Sequence, residues 1–274
     1  MTAPGATRPA HLTSTRRRAS FPDAVRSEWI KFRSLRSSWI TVVVAVLLGA
    51  GLGILISHLA ADHYATSGVQ RFAWDPTKVS LSALGIAQLA VSVLGALVVT
   101  SEYGTGSIRT SLAAVPRRGR LLAAKALVLV VVMLVTGEVI AFVAFLGGQA
   151  AIGGAAPHTT LAAPHVARAV VGAGLYLAAI GLLSSAVGWV VRNTAAAISA
   201  MVALLFVLPG VIFALPTWLE QPLNEYWPTN AGQQVYNVSH GAHALGAWAG
   251  FGVLAAFAAL VLLAGRALLG ARDA

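Results

Sequence analysis

Six long stretches of the sequence consist almost entirely of apolar side chains, and short polar segments separate them. They cover residues 39–59, 81–99, 121–147, 167–191, 195–215 and 244–265. A helix needs about 20 apolar residues to cross the hydrocarbon core of a bilayer, and each stretch is close to that length or longer. The pattern therefore predicts six transmembrane helices and an all-α integral membrane protein.

A shorter pattern precedes the first span. Within residues 23–36, Trp29 and Phe32 fall on one helical face, while Lys31 and Arg33 lie mostly off it. A basic amphipathic helix of this kind lies in the membrane interface, with its apolar face towards the lipid. We therefore predict an interfacial helix before the first span; a merely solvated leader is the alternative.

Residues 1–22 are rich in proline, threonine, serine and alanine and offer little to pack, so we predict a disordered leader. Its run Arg16-Arg17-Arg18 superficially fits a twin-arginine export signal. The first apolar stretch, however, is long enough to span and is followed by five more, which indicates an uncleaved chain. Residues 23–274 are then one transmembrane domain.

Composition agrees with this interpretation. The chain is 57% hydrophobic and 10% charged, with a mean hydropathy of +0.77. Soluble domains carry about 25% charged residues, so this chain cannot cover a water-facing surface. It contains no cysteine, which excludes disulfides, thiolate metal sites and cysteine nucleophiles.

The net charge of +10 reports orientation rather than nucleic-acid binding. If the N-terminus is cytoplasmic, 16 of the 19 lysines and arginines lie on the inner side, and only Arg71, Lys78 and Arg168 lie outside. Inner loops of membrane proteins carry the excess of positive charge. We therefore predict that both termini are cytoplasmic.

Three common catalytic and nucleotide-binding motifs are absent from the sequence. There is no H-E-x-x-H, no G-x-S-x-G and no phosphate-binding G-x-x-x-x-G-K-[ST]. His240 and His243 have a metal-ligand spacing, but no carboxylate lies near them in sequence, so we predict no metal site and no catalytic residue. If the protein uses ATP, a separate chain must hydrolyse it.

The segment after the second span is the most informative one. Glu102 and two glycines end the span, and Ile108, Leu112 and Val115 recur at helical spacing until Pro116. This predicts a short amphipathic helix that ends at the proline.

The stretch S-E-Y-G-T-G-S-I-R-T-S-L-A-A-V-P-R-R, residues 101–118, resembles the corresponding segment of actinobacterial ABC exporter permeases of type 2. That group normally reads S-E-Y-x-T-G-x-I-R, then small residues, then P-R-R. The leader motif at 27–31 and the outer stretch W-P-T-N-A-G-Q at 227–233 are similar to the same group. Position 104 is glycine here, where a longer polar or basic side chain is common.

The resemblance implies a type-2 ABC exporter architecture: an interfacial helix, six spans, a second permease subunit and separate ATPase subunits that hold ATP and Mg²⁺. It also implies a multi-pass protein of the bacterial plasma membrane that binds no nucleic acid and no cofactor of its own. The ATPase contact is predicted on the segment after span two, at Glu102, Tyr103, Gly104, Thr105, Gly106, Ser107, Ile108, Arg109 and Leu112. Residues 102–109 are called the predicted coupling segment below.

Glu138 is the one acidic residue inside a predicted span. Because a charge in the membrane is costly, such a residue marks a translocation pathway by default, and a structural, paired glutamate is the alternative. Gln88 in the second span is a candidate partner. A membrane sensory or immunity component without pump activity is the alternative to an exporter, and the sequence does not identify a substrate.

Overall fold

The computed structural model describes residues 20–66, 74–108, 118–239, 241 and 244–271. Most of the predicted leader lies outside these residues, as do Arg109 and Leu112 of the predicted ATPase contact and the pair His240 and His243.

The described residues form helices joined by short connections. In chain order these are α1 (Phe21–Ser34), α2 (Arg36–Val46), α3 (Leu52–Thr66), α4 (Pro76–Ser80), α5 (Leu84–Gly104), α6 (Arg118–Ile152), α7 (Val166–Val191), α8 (Thr194–Val202), α9 (Leu208–Phe213), α10 (Thr217–Tyr226), α11 (Pro228–Gln233) and α12 (Ala247–Ala271). Two π-helical turns, Leu47–Gly51 and Ala203–Val207, join α2 to α3 and α8 to α9.

Six helical segments are long and apolar enough to cross a membrane, which confirms the predicted fold class. They are Arg36–Thr66, Pro76–Gly104, Gly119–Ile152, Val166–Val191, Thr194–Phe213 and Ala247–Leu268, called spans 1 to 6. The first three extend several residues beyond the predicted apolar stretches. At 1.5 Å per residue a helix of 30 residues is about 45 Å long, so the polar ends of these spans reach past the hydrocarbon core.

Spans 2 and 4 form the centre of the bundle, and spans 1, 5 and 6 lie at its outside. The largest fully buried side chains include Tyr176 and Trp189 of span 4 and Phe145 and Met133 of span 3. Side chains such as Leu47, Phe206 and Leu260 on the outer spans remain exposed. An apolar surface of this kind is what lipid, or a second membrane subunit, would cover.

Span 2 and span 4 approach closely because both carry glycine where they cross. A Cβ atom at Gly95 would collide with the backbone carbonyl oxygen of Gly181. Gly137 of span 3 and Gly174 of span 4 form a similar contact, where a Cβ on Gly137 would lie 2.6 Å from the Gly174 oxygen. Small residues let helix backbones pack against each other in a bilayer.

We expect Gly95→Ala to lower the thermal denaturation midpoint of the purified protein clearly. The added methyl group meets backbone rather than a movable side chain, so the two helices must separate, at a cost of about 1–3 kcal/mol. Gly85→Ala, on the same helix, is the matched control, because a Cβ there would have no atom of the described residues within 4 Å. An equal effect of the two substitutions would contradict close packing at Gly95.

Span 5 contains a proline that does not end it. Pro209 lies at the start of α9, and the helix continues past it to Phe213. The π-helical turn Ala203–Val207 directly precedes this proline. Proline lacks an N–H group and crowds the preceding turn, and a widened turn accommodates both effects. The span ends before Pro216, after which α10 and α11 follow as two short helices.

Candidate functional site: a charged junction at the α1 end

α1 begins where the sequence provides a cap. The hydroxyl of Ser20 accepts a hydrogen bond from the backbone N–H of Asp23, and the Asp23 carboxylate accepts one from the Ser20 N–H. This capping box satisfies N–H groups that lack partners at a helix start. The helix then buries Ala24, Glu28 and Phe32, three residues at a spacing of four that share one face.

The buried face of α1 packs against span 3. Of the predicted interfacial residues, Phe32 is buried, Lys31 is partly buried, and Arg33 and Trp29 are exposed, Trp29 by 41%. The inward face therefore centres on Glu28 rather than on Trp29. The exposed side of α1 carries Trp29 and Ile30, which are available to lipid.

Four charged side chains from three parts of the chain meet beneath α1. The set consists of Glu28 and Lys31 of α1, Glu102 near the end of span 2 and Lys125 of span 3, and it is called the charged junction. Lys31 Nζ donates to Glu28 Oε1 at 2.6 Å and to Glu102 Oε1 at 3.2 Å. Lys125 Nζ donates to Glu102 Oε1 at 2.9 Å and to Glu28 Oε2.

The four formal charges of the charged junction cancel, which allows their burial. Glu28 and Lys125 are 3% and 2% exposed. A buried ion pair costs much of its attraction in desolvation, but removing one partner leaves an uncompensated charge and is strongly destabilising. The arrangement therefore fastens α1, span 2 and span 3 to one another at this end of the bundle, called the α1 end.

Lys31 retains its charge at neutral pH. Burial lowers the pKa of Lys31, but the hydrogen bond and negative charge of Glu28, together with Glu102, outweigh that effect and raise the pKa above its ordinary value. A raised folded-state pKa of a lysine stabilises the fold below its ordinary pKa, and this contribution is lost only as the pH rises through the folded-state value. The Lys31 contacts in the charged junction therefore persist through the physiological pH range.

The predicted coupling segment begins inside the charged junction and turns away from it. The helix of span 2 runs to Gly104, and the chain turns at Gly106, whose φ of 70° lies in the left-handed region that glycine adopts easily. Gly104, Thr105 and Gly106 are exposed. This turn is therefore the accessible part of the described segment.

Ile108 lies differently from expectation. It is 3% exposed and belongs to a buried cluster with Ala24 of α1, Leu121 of span 3 and Trp189 of span 4. The family resemblance placed Ile108 among the residues of the predicted ATPase contact. The chain's own residues cover it instead, so Ile108 holds the predicted coupling segment to the bundle.

The end of span 2 is also held by span 4, by Arg192 directly after it and by the start of span 5. The ring of Tyr103 contacts Trp189 edge to face at 6.0 Å, and the guanidinium of Arg192 lies 5.3 Å from the ring centre. Thr194 Oγ1, at the start of span 5, donates to Thr100 Oγ1 at 2.8 Å. A displacement of the predicted coupling segment would therefore act on spans 2 to 5 through these contacts, and on span 1 through α1, which leads directly into it.

The two pathway candidates lie apart from the charged junction. Glu138 is partly buried between spans 3 and 4, where its carboxyl group covers Gly174, and its Oε2 atom accepts no hydrogen bond from the described residues. Gln88 is buried and accepts a hydrogen bond from the Tyr176 hydroxyl at 2.6 Å. The side-chain oxygen of Gln88 is therefore bonded to Tyr176 and not to Glu138.

Sequence reasoning missed the charged junction. Glu28 entered only as part of the leader motif at 27–31, and Lys125 only as one of the 16 positive charges counted on the inner side. A signal was present, because Lys125 lies within an apolar stretch and requires a buried anion. The sequence contains nine acidic residues, of which Glu28 and Glu102 lie nearest the same predicted membrane surface.

No group of three or more histidine, aspartate or glutamate side chains that could hold a metal ion occurs among the residues described here. No curated protein matches the chain in a sequence search. A family model described as "ABC-2 family transporter protein" matches residues 24–210, from α1 through most of span 5. This match covers more than half of the chain and includes the charged junction and the predicted coupling segment. The chain belongs to the ABC-2 family of transporter membrane proteins.

Proposed function

We propose that the protein is the membrane-spanning permease subunit of an ATP-driven exporter in the bacterial plasma membrane. It works with ATPase subunits that bind ATP and Mg²⁺ and with a second permease subunit. The observation that carries this proposal is the charged junction, because it connects an exposed turn, at which a soluble partner can act, to three elements of the membrane bundle.

A permease driven by a soluble ATPase needs a contact through which ATP hydrolysis can move its membrane part. A soluble ATPase can shift the permease between two states only if it contacts those states differently. The exposed turn at Gly104, Thr105 and Gly106 offers such a contact, and it continues directly into span 2. A push on this turn acts on a buried charged network rather than on a loose loop, so the displacement reaches spans 1 to 4 together.

The test is purification of the chain from cells that also express a soluble ABC ATPase. We expect the ATPase to co-purify and its ATP hydrolysis to change in the presence of the permease. A chain that never associates with an ATPase would favour the alternative, a membrane sensory or immunity component without pump activity.

The proposed topology places the α1 end and both termini in the cytoplasm. Since the natural chain has no cysteine, single cysteines report their location without background. Cysteines at Ala155 and Ser239, which are exposed at the opposite end, should react with a membrane-impermeant maleimide in intact cells. A cysteine at the exposed Thr105 should react only after the membrane is opened. Labelling of Thr105 from outside would invert the topology.

Glu138 is the residue we propose for the translocation pathway, together with Gln88 as a lesser candidate because of its bond to Tyr176. We expect Glu138→Gln to leave the amount of folded protein unchanged, since the amide has the same shape, and to alter the transport rate severalfold. Glu220→Gln, which makes the same substitution outside the spans in α10, controls for a general effect of removing a carboxylate. A Glu138→Gln protein that transports at the normal rate would make Glu138 a structural residue.

A further inference from the structure

Two arginines that are far apart in the sequence line one cavity at the α1 end. Arg120 lies in the first turn of α6, and Arg266 lies close to the end of α12. The cavity has a volume of about 400 Å³, and Phe21, Gly119 and Ala123 line the rest of it. The start of α1, the start of span 3 and the end of span 6 therefore share this cavity, which is called the basic recess.

The guanidinium group of Arg266 lies against the start of span 3. A Cβ atom on Gly119 would lie 3.5 Å from Arg266 Nε and 3.7 Å from its Nη2 atom. Glycine at this position leaves the space that the guanidinium group occupies. The side chain of span 6 thus reaches the cavity that Arg120 also lines, and two positive charges face one space.

Neither arginine has an acidic partner within the part of the chain that the structure describes. The cations of the ion pairs found there are Lys31, His58 and Lys125. Asp23, the carboxylate nearest to Phe21 in the sequence, accepts hydrogen bonds from Ser20. Two like charges beside one cavity favour an occupant of negative charge. Guanidinium groups bind phosphate especially well, because their forked N–H donors match two of its oxygens.

The basic recess lies where a bilayer has its phosphate groups. Arg120 is at the start of span 3 and Arg266 is near the end of span 6, and the ends of spans reach the headgroup region. Further along the same spans the surface is apolar. Leu127, two helical turns from Arg120 on the same face, is 46% exposed, and Leu263, one turn before Arg266, is 57% exposed. This combination fits an anionic head with attached acyl chains better than a free phosphate ion.

We propose that the basic recess binds the phosphate of an anionic phospholipid of the phosphatidylglycerol type, whose acyl chains lie along the exposed surfaces of spans 3 and 6. Arg120 and Arg266 donate hydrogen bonds to the phosphate oxygens. A phosphatidylcholine headgroup is disfavoured, because its trimethylammonium group brings a third positive charge to the recess. The bound lipid connects span 6 to span 3 and to the start of α1. That the lipid belongs to the inner leaflet follows from the proposed topology, and in this respect the assignment rests on the proposed function.

The experiment uses the purified full chain in a neutral detergent, without ATPase or nucleotide. Native mass spectrometry measures the binding of phosphatidylglycerol and of phosphatidylcholine with identical acyl chains. A third probe, glycerophosphoglycerol, has the headgroup of phosphatidylglycerol without the acyl chains. We expect phosphatidylglycerol to bind about tenfold more tightly than either of the other probes, a ratio that one charge-assisted hydrogen bond or a few buried methylene groups can supply.

Three variants locate the site. Arg120→Gln and Arg266→Gln each remove one charge and should weaken phosphatidylglycerol binding about tenfold. Ala123→Glu keeps both arginines but supplies a carboxylate one turn from Arg120, and it should have the same effect. Arg36→Gln, which removes an exposed arginine at the start of span 1, is the matched control and should bind the lipid as the natural chain does.

Three results would overturn the assignment. Equal binding of the two lipids would show that the recess does not select negative charge, and an equal loss in Arg36→Gln would show only a general attraction of the basic α1 end. Binding of glycerophosphoglycerol as tight as that of the lipid would make the recess a site for a soluble phosphate. Because no ATPase is present, each result is independent of the co-purification test of the proposed function.

Discussion

Lys125→Met is expected to destabilise the protein more than any other single substitution at the α1 end. The change removes the cation that Glu28 and Glu102 share and leaves two buried carboxylates with only Lys31 as a partner. Breaking a buried ion pair by removing one partner costs about 3–5 kcal/mol. We expect the thermal midpoint in detergent to fall steeply and α1 to become accessible to protease.

Lys78→Met is the matched control, because Lys78 is exposed at the opposite end of the bundle. It should leave the thermal midpoint almost unchanged. Combining Lys125→Met with Glu28→Gln and Glu102→Gln should recover part of the loss, since the buried carboxylates are then neutral and Lys31 can turn towards water. If Lys125→Met is as stable as the natural protein, the charged junction does not hold α1 to the bundle.

Gly104→Trp is expected to reduce association with the ATPase at least tenfold while the permease remains folded. A Cβ atom at Gly104 would have no atom of the described residues within 4 Å, which leaves room for a larger side chain there. A bulky indole on the exposed turn would hold a docking partner away from it. Interfaces concentrate their binding energy in a few central residues, and a loss of about 2 kcal/mol or more is typical when such a centre is disrupted.

The measurement is ATPase co-purification together with stimulated ATP hydrolysis, with the thermal midpoint as a check on folding. Gly154→Trp is the control, because Gly154 is exposed at the other end and likewise has no neighbour within 4 Å. Ile108→Asp should behave differently from Gly104→Trp and destabilise the fold, since Ile108 is buried among the chain's own residues. An unaffected ATPase complex in Gly104→Trp would direct the search for the docking surface to α1.

The six spans were predictable because apolar length is a local property. Each apolar stretch can be recognised within a window of about 20 residues. Its apolar length does not depend on which other spans it contacts or on where it lies in the bundle. The ends were less predictable. Span 1 continues to Thr66 through Asp62 and His63, where local hydropathy falls although the helix persists.

The charged junction was not predictable to the same degree, because it depends on contacts far apart in sequence. Lys125 and Glu28 are separated by 97 positions, and their pairing requires α1 to lie across the start of span 3. Periodicity placed Trp29 on the apolar face of α1, yet the helix turns Glu28 inwards. Hydropathy predicts that a charged side chain is exposed to solvent. Such a side chain is buried only where a partner of opposite charge lies beside it, and the sequence does not show which partner that is.

In the predicted coupling segment, too, some features follow from the local sequence and others depend on distant contacts. Its start at Glu102 and its turn at the two glycines follow from local chemistry, and the structure has both. The burial of Ile108 against Trp189 does not follow, because an apolar side chain at helical spacing does not say which surface will cover it.

The two π-helical turns each add one residue to the span that contains them. Each turn is wider than an α-helical turn, and taking up its extra residue would rotate the remainder of the span by about 100°. Both turns lie in outer spans, Leu47–Gly51 in span 1 and Ala203–Val207 in span 5. The turn in span 1 is closely packed, because a Cβ atom on Gly49 would lie 2.5 Å from Ile140 of span 3. The two halves of span 1 therefore present different sides to their neighbours than an uninterrupted α-helix of the same sequence would.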